Sequence, residues 1–342
     1  MTSATPSSTS ADPACTVVAR PVAFEAIARA TWDALLARTL RATPFSRWTW
    51  HRAWWDAYGT EARPAYVACE DDQGTLRAIV PLMERQGLVF MGASYHGDYA
   101  TILGDPSDLP AAAAAVAAGL AGQPVDLRRL RHDDPALPAL EVALGLPREQ
   151  EDVCPTVTVD AGLDWEGYLG SLDKKDRHEI RRKVRRAEST AAARFEMVEP
   201  TPEAVETFMR LHDARWGELG LFPATPAGDR SRTFVRRLAE LEAAEGPGRQ
   251  LQLGQYTVGE RLIFASVGFH DADTCYFYNA GMDPAARDLS PGVTGAAAYL
   301  RYELEHDCRR FDFLRGSEPY KYEWGARDVP IFRLTGRVEA AR

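Results

Sequence analysis

One order of predicted elements occurs twice along this chain, and this repetition constrains the fold more than any single motif. In the first half, hydrophobic periodicity predicts helices over residues 24–40 and 45–58, then a hairpin over 65–84, followed by strands and further helices. The second half returns to the same order of helix, hairpin, strand, helix and strand, although no repeat of individual residues is visible. The sequence therefore predicts an α/β (α+β) fold of two similar domains with a ligand-binding cleft between them.

The chain is long enough for this division, because 342 residues correspond to about two domains of ordinary size. We expect a disordered tail over residues 1–16, an N-terminal domain over 17–152 and a C-terminal domain over 153–342. The tail lacks the apolar core of a signal peptide. No apolar run reaches the length of about 20 residues that a membrane span requires, so we expect a cytoplasmic protein without such a span.

Charge and metal-ligating residues exclude two classes of function. The formal net charge of -9 argues against a protein that coats DNA. The five cysteines and seven histidines are scattered, without a CxxC or HExxH motif, so we expect no metal. Cys275 and Cys308 fall in predicted strand and helix interiors and are expected to pack there. His212 lies on the apolar side of a predicted helix, which favours a core or interface position over a role as catalytic base.

A basic segment from Lys174 to Arg186 stands out in this acidic chain. It contains eight basic side chains and two acidic ones. Such a concentration is typical either of a solvated helix face or of a surface that contacts anions. The anion would be the phosphates of a nucleotide cofactor, RNA such as tRNA, or an acidic partner, and the sequence leaves these alternatives open.

A predicted helix start near residue 290 has the features of a phosphate site. Ser290 suits the N-cap and Pro291 the first turn, while Gly292 and Gly295 keep side chains away from that turn. The exposed N–H groups and the helix dipole would then favour a phosphate, and Arg287 would add a direct charge.

Two polar clusters follow predicted strands, where ligand-contacting residues often lie. The first contains His96, Asp98 and Tyr99. The second runs from Asp312 to Lys321, and in it Tyr320 is suited to protonate a leaving thiolate. Glu318 or Asp98 would take a proton from an amine. The alternative is structural, with Arg315 paired to Glu318 and Lys321 paired to Asp312.

Several blocks of the sequence resemble the CelD/BcsL-type acyltransferases, which belong to the GNAT superfamily and are related to the FemAB peptidoglycan-bridge enzymes. The most specific block runs from Tyr276-x-Tyr278-x-x-Gly281-x-Asp283 through Ser290-Pro291-Gly292 to Asp312-Phe313-Leu314-Arg315-Gly316-x-Glu318-x-Tyr320-Lys321-x-x-Trp324. Four further parts are also similar: the aromatic helix predicted over Phe45–Tyr58, Asp98-Tyr99, the basic segment, and Leu211-His212-x-x-Arg215-Trp216. The resemblance spans residues 45–324.

This resemblance implies two tandem GNAT-like domains, each a mixed, mostly antiparallel sheet flanked by helices, with the acyl-donor site in the second. The implied reaction is the transfer of an acyl group from acetyl-CoA or another acyl-CoA to an amine by direct attack. The sequence does not identify the acceptor, which would be an amino sugar, a small amine, an amino acid or a protein. The expected residues are Glu318, Tyr320 and Asp98 for catalysis, Tyr278, Arg287, Ser290, Gly292 and Gly295 for the donor, and His96, Tyr99, Arg315, Lys321 and Trp216 for the acceptor.

Two alternatives follow from the same resemblance. The loop over residues 287–293 departs from the Q/R-x-x-G-x-G/A pattern by which ordinary GNAT proteins bind the CoA pyrophosphate. FemAB relatives use aminoacyl-tRNA as donor, which would employ the segment from Lys174 to Arg186. A GNAT-fold protein without catalysis, acting in polysaccharide or cell-surface synthesis, is the third interpretation.

Overall fold

The computed structural model describes residues 17–92 and 96–339, so the tail predicted over residues 1–16 lies outside the described residues. The strands, β1 to β16 along the chain, are Val18–Val22, Arg63–Pro64, Tyr66–Glu70, Leu76–Val80, Leu82–Arg85, Leu88–Met91, Leu103–Gly104, Pro124–Arg131, Arg148–Val153, Thr156–Thr158, Ala193–Val198, Leu251–Val258, Arg261–His270, Thr274–Met282, Arg310–Asp312 and Pro330–Arg337. The helices, α1 to α10, are Arg29–Leu36, Trp48–Tyr58, Leu109–Gly119, Ala136–Leu144, Trp165–Ser171, Lys174–Thr190, Pro202–Trp216, Pro226–Ala243, Pro291–Glu305 and Pro319–Glu323. Among these described helices, none combines the length and hydropathy of a membrane crossing.

The first half of the chain builds two sheets. One has the strand order β1-β3-β4-β7, and the other has the order β2-β5-β6-β8-β16-β9. Neighbouring strands pair antiparallel, apart from the parallel pair β6 and β8. Helices α3 and α4 bury Val116, Leu137 and Leu140 in one apolar cluster with residues of these strands. Burial of their apolar faces is the main force that holds the helices on the sheets.

The second half builds a single sheet of order β10-β15-β14-β13-β12-β11. Its strands pair antiparallel, apart from the parallel pair β14 and β15. Alternating residues of β13 pack on opposite faces, as strand geometry requires. Phe264 belongs to the apolar cluster that contains α9, and Ala265 and Val267 belong to the cluster that contains α7 and α8.

One strand crosses between the two halves. The short strand β10 pairs with β15 and so stays in the sheet of the second half. The last strand, β16, instead pairs with both β8 and β9 and lies inside the second sheet of the first half. We predicted this last strand as the end of a C-terminal domain over 153–342, but it pairs with β8 and β9 of the first half, because hydrophobic alternation marks the buried face of a strand and not its neighbours.

Aromatic side chains of α2 pack across the contact between the halves. Trp50 is fully buried, with its ring centroid 5.0 Å from that of Phe234 on α8 and 5.7 Å from that of Phe269 on β13. Phe45, which precedes the helix, lies 6.3 Å from Tyr278 on β14. The predicted aromatic helix therefore joins the two halves at its core-facing side.

The predicted fold class is confirmed: mixed sheets, mostly antiparallel, are flanked by helices in both halves. Individual elements differ from the sequence prediction. The amphipathic pattern over residues 232–244 predicts a helix there, but α8 already begins at Pro226, capped by the Thr225 side chain. The polar and aromatic composition of residues 316–324 predicts a loop, but this segment contains α10. Strands β1 and β9 were not predicted, because their residues are largely polar or exposed.

Candidate active site

A cavity opens where β14 and β15 separate. The parallel pairing ends at Tyr276 and Asp312, and Leu314 then takes a left-handed conformation with φ 58°. The Asp312 carboxylate stabilises this turn, since its Oδ1 accepts the Leu314 N–H at 2.8 Å. Within the described residues, the backbone of 277–282 has no strand partner on the β15 side. The cavity between the strands has a volume of about 840 Å³.

The cavity brings together eleven of the thirteen predicted site residues. Those that line it are His96, Asp98, Trp216, Tyr278, Arg287, Ser290, Gly292, Arg315, Glu318, Tyr320 and Lys321. They come from both halves of the chain, since His96 and Asp98 belong to the first. The two that do not line it, Tyr99 and Gly295, lie in the core beside it.

The start of α9 forms one end of the cavity. Ser290 is the N-cap, in the left-handed region with φ 52°, and its side chain makes no capping hydrogen bond. The first N–H groups of a helix have no acceptor within the helix, so they are directed at whatever lies beyond its end. A Cβ on Gly292 would lie 3.3 Å from the Met282 side chain, so glycine keeps this end of the cavity wide. Arg287 is exposed and lines the same end.

Gly295 has a packing role instead of the predicted donor contact. A Cβ at this position would overlap the Phe264 ring. Because glycine has no Cβ, α9 lies directly against the sheet at this point. The close approach fixes the position of the helix start one turn away.

A buried lysine holds the loop at the other end of the cavity. The Lys321 side chain is almost fully buried, and its Nζ donates to the carbonyl oxygens of Leu314, Arg315 and Gly316 at 3.0, 2.8 and 2.9 Å. These bonds use all three protons of an ammonium group. Its Nζ also lies 2.8 Å from Glu318 Oε2. The geometry gives Lys321 a positioning task in the loop, whereas the predicted pair with Asp312 is not formed.

The polar groups at this end are arranged around Arg315. Its Nε donates to Asp98 Oδ1 at 3.1 Å, so a loop of the first half is tied to a loop of the second. Glu318 remains about half-exposed and lines the cavity. Tyr320 is also partly exposed, and burial of its hydroxyl raises its pKa to about 12. The phenol is therefore protonated at neutral pH.

His96 connects the cavity to a buried chain of hydroxyl groups. Its Nε2 lies 2.6 Å from the Tyr58 hydroxyl, which is 3.1 Å from Ser231 Oγ. The Tyr278 hydroxyl lies 3.3 Å from Nδ1 of the same ring. The ring stacks on Phe234 with a centroid distance of 4.5 Å. Burial lowers the pKa of His96 to about 3, so the imidazole is neutral at physiological pH.

Tyr99 supports the site from within the core. Its hydroxyl donates to Asp312 Oδ2 at 2.7 Å, and the Arg131 guanidinium lies 5.0 Å from the centre of its ring. Burial raises the pKa of Asp312 to about 6, against the opposing hydrogen bonds from Tyr99 and Leu314. Tyr99 was predicted to bind the acceptor, but it is only 3% exposed and is absent from the cavity wall.

Trp216 forms part of the opposite wall. Its indole Nε1 donates to the Ala280 carbonyl at 3.3 Å, which fastens the end of α7 to β14. The guanidinium of Arg215 lies 4.6 Å from the ring centre. His212, one turn earlier, is buried against Phe222 at 4.9 Å and does not line the cavity.

Sequence reasoning missed several wall residues. The apolar part of the wall is formed mainly by Leu221, Phe264, Phe277, Met282, Val293, Ala296, Phe313 and Trp324. Alternation along β14 predicts which of its residues share a face, but not that the neighbouring strand stops early. The early end of β15 depends on the Asp312 to Leu314 turn, and no local pattern reveals it.

The predicted basic helix is observed as α6, longer than expected at Lys174–Thr190. It buries Ile180 and Ala187 in the apolar cluster that contains α9, and it exposes most of its charges. Arg181 and Arg182 pair with Glu166 and Glu179. Lys174, Lys175 and Arg186 are exposed.

Comparisons with known proteins identify the second half. Residues 174–322 match the family described as the acetyltransferase (GNAT) domain. FemX aligns with a TM-score of 0.60 and 11% identity, over 91% of this chain and 96% of FemX. L-PGS from Bacillus licheniformis aligns with a TM-score of 0.58 and 11% identity, over 92% of this chain and 93% of L-PGS.

A third solved structure, the C-terminal domain of a putative lysylphosphatidylglycerol synthetase from Agrobacterium fabrum, aligns with a TM-score of 0.52 and 11% identity, over 89% of this chain and 91% of that one. No curated protein matches the chain. At such low identity the structural likeness shows the fold alone. Residues 174–322 are therefore similar in sequence to the acetyltransferase (GNAT) domain family, and the chain shares the fold of these solved structures.

Proposed function

We propose that this chain is an N-acyltransferase of the CelD/BcsL type, which moves an acyl group from acyl-CoA, most simply acetyl-CoA, to an amine. One observation carries the proposal: a single cavity has a helix start with an exposed arginine at one end and carboxylates with a phenol at the other. The first end suits the phosphates of a donor, and the second suits proton transfer at an acceptor.

The donor end fits an elongated thioester. The first turn of α9 and Arg287 would hold the pyrophosphate through N–H groups and charge. The strand edge over residues 277–282, which has no partner on the β15 side among the described residues, would pair with the amide groups of the pantetheine arm. The apolar wall between them suits the acyl chain.

The reaction then proceeds by direct attack. The neutral amine attacks the thioester carbonyl carbon, the N–C bond forms, and the C–S bond breaks. A backbone N–H near Tyr278 polarises the carbonyl oxygen. Glu318 or Asp98 accepts the amine proton, and Tyr320 gives its proton to the leaving thiolate. Positioning of the two substrates supplies much of the rate, because it replaces a bimolecular encounter.

The buried cysteines support direct transfer over a covalent intermediate. Cys154, Cys275 and Cys308 are all buried, and burial raises the pKa of each thiol. Within the described residues, no cysteine lines the cavity. A buried thiol away from the cavity is unsuited to act as a nucleophile on the donor.

Calorimetric titration with CoA, acetyl-CoA and a long-chain acyl-CoA tests the donor. We expect the Arg287→Ala variant to bind about tenfold more weakly, because one charge-assisted contact is lost. Arg301→Ala is the matched control, since Arg301 is an exposed arginine farther along α9 and pairs with Glu305. Absence of binding by any thioester, or equal affinities of the two variants, would contradict the proposed donor site.

Aminoacyl-tRNA is the second candidate donor, favoured by the exposed cations of α6. This helix packs against the segment Pro284–Leu289 that carries Arg287, so its charges belong to the surface around the donor end. Phosphate contacts from several such cations would make binding strongly salt-dependent. Titration with charged tRNA at two salt concentrations distinguishes the donors, because CoA binding requires far fewer charge contacts.

A further inference from the structure

Three potential metal ligands meet at the end of α9 that lies away from the donor site. The group consists of His270, Glu303 and Cys308, and their ligand atoms all lie within 4.8 Å of one another. His270 ends β13, Glu303 lies in the last turn of α9, and Cys308 lies between α9 and β15. Since α9 has 15 residues and rises about 1.5 Å per residue, this cluster is separate from the cavity.

The helix end places Cys308 beside Glu303. Asp307 has a left-handed conformation with φ 65°. The N–H of Asp307 donates to the Leu304 carbonyl at 3.3 Å, and the N–H of Cys308 donates to the Glu303 carbonyl at 3.0 Å. These two bonds define a Schellman motif, in which the side chains at the first and last positions come together. In most proteins that contact is apolar, whereas here it joins a carboxylate and a thiol.

Glu303 lacks the partners that a buried carboxylate requires. The residue is 1% exposed, and neither of its oxygens accepts a well-aligned hydrogen bond from the described residues. The adjacent ionisable group is the His270 ring, whose Nδ1 lies 3.1 Å from Oε2. Each buried polar group that is left without a hydrogen bond costs a protein about 1–3 kcal/mol of stability. An additional cation beside Glu303 would therefore stabilise the fold.

The other two residues of the cluster, Cys308 and His270, differ in their exposure to solvent. The Cys308 thiol is buried, and its Sγ donates to the Arg310 carbonyl at 3.2 Å. The His270 side chain is 25% exposed, so solvent reaches the cluster from that side. A nitrogen, an oxygen and a sulfur ligand form the donor set that proteins use for zinc and related transition metals.

We propose that His270, Glu303 and Cys308 bind a zinc-class transition-metal ion, with solvent as the fourth ligand. The 3.1 Å separation of Nδ1 and Oε2 is close to the roughly 3.3–3.6 Å between two ligands of one tetrahedral ion with bonds of about 2.0–2.2 Å. The thiol proton is released when the thiolate binds the ion. The ion links β13, the end of α9 and the segment before β15. This site revises the sequence expectation of no metal, and it is independent of the proposed acyl transfer.

Cobalt titration of the full-length protein tests the site, after dialysis against a chelator. We expect one Co²⁺ per chain, with visible bands of a four-coordinate ion and a thiolate-to-cobalt charge-transfer band, all removed by Zn²⁺. Cys308→Ala should lose the charge-transfer band. Cys69→Ala is the matched control and should keep it, because Cys69 is equally buried and burial raises the pKa of both thiols to about 12.

Each outcome decides the proposal. Wild-type protein that gives no cobalt bands, or a Cys308→Ala variant that keeps the wild-type spectrum, would overturn it and leave a buried ion pair between His270 and Glu303. If Cys308→Ala does not fold, His270→Asn provides the second test, since His270 is partly exposed. That variant should lose the stoichiometric metal and the rise in Tm that Zn²⁺ gives the wild type.

Discussion

The two halves of the molecule share one unit, a pair of parallel strands joined through a helix, but only the second half leaves the space between the strands open. There β14 and β15 separate after Tyr276 and Asp312, and the cavity follows. In the first half, β6 and β8 pair only around Val89 and Phe90. Farther along the chain, Ala100 forms a parallel bridge with Leu130 of β8, and its N–H donates to the Arg129 carbonyl at 3.0 Å. The chain itself fills the position that we assign to the donor in the second half.

The helix starts differ in the same sense. Helix α3 begins after Asp108, whose buried carboxylate lies 3.0 Å from Arg77. Helix α9 begins after Ser290, with the exposed Arg287 three residues earlier. A carboxylate at a helix start places negative charge near the positive end of the helix dipole, where it would repel a second anion. The two units therefore differ in both features, and the unit to which we assign the donor is the one whose strands separate and whose helix start carries no carboxylate.

The largest predicted effect concerns the loop that keeps the second gap open. Lys321→Met should lower the free energy of unfolding by about 3 kcal/mol or more, because buried carbonyls lose a charged donor and Glu318 loses its partner. Urea denaturation measures this change. Lys183→Met is the control, since Lys183 pairs with Glu179 on the surface of α6, and it should cost about 0.5 kcal/mol or less. Equal losses in both variants would show that the loop does not depend on Lys321.

Glu318→Gln addresses the chemistry at the open gap. If Glu318 accepts the amine proton, turnover should fall by about 100-fold while the affinity for acyl-CoA stays the same. Asp98→Asn is the competing variant, and the larger loss of kcat identifies the base. Unchanged turnover in Glu318→Gln would remove this residue from the mechanism.

The buried histidines predict a dependence on pH. Burial lowers the pKa of His96 to about 3 in the folded protein, whereas an unfolded histidine titrates at about 6.5. Between pH 6.5 and pH 3 the unfolded state therefore binds a proton that the folded state does not bind. The free energy of unfolding consequently falls by about 1.4 kcal/mol per pH unit as the pH decreases from 6.5 toward 3. His96→Gln should reduce the slope of unfolding free energy against pH by this amount. The exposed His178 on α6 gives the control His178→Gln, and an equal slope in both variants would contradict the prediction.

The smallest predicted effect comes from placing a carboxylate at the start of α9, as at the start of α3. Ser290→Asp places a carboxylate where α3 has Asp108, and it should weaken acyl-CoA binding by about tenfold through repulsion of the phosphates. Ser290→Asn is the matched control, because asparagine also tolerates the left-handed conformation of residue 290. Calorimetry should show the control within about twofold of the wild type, since its charge is unchanged. Similar weakening in both variants would indicate a steric effect and not a charge effect.

The local hydrophobic pattern predicted most helices and strands of the fold. It did not predict which strands pair when they are far apart in the sequence. Periodicity located α2, α9 and the β12–β13 hairpin near their observed bounds. It missed β9, because Arg148–Val153 is rich in charged residues and reads as a loop. The position of β16 between β8 and β9 depends on edges far away in sequence. Hydrophobic pattern specifies which face of a strand is buried, but not which neighbour it joins.

The site was predictable to the extent that its residues stand in one sequence block. Arg287, Ser290, Glu318 and Tyr320 all line the cavity, although their roles stay predictions. Tyr99 was misplaced because its tyrosine hydroxyl binds Asp312 in the core, and a sequence does not show which polar groups satisfy one another internally. The cluster around Glu303 was also missed, because its three ligands come together through a helix-ending turn.

The exchange of β16 into the first half has a consequence for synthesis on the ribosome. Val153 of β9 is made about 180 residues before its partner Pro330, a delay of roughly 10–35 s at a rate of about 5–20 residues per second. During this interval the facing edges of β8 and β9 have backbone groups without a partner, and such edges pair readily with other chains. The first half is thus translated early but completed late, and its yield in a cell depends on how this edge is shielded in the meantime.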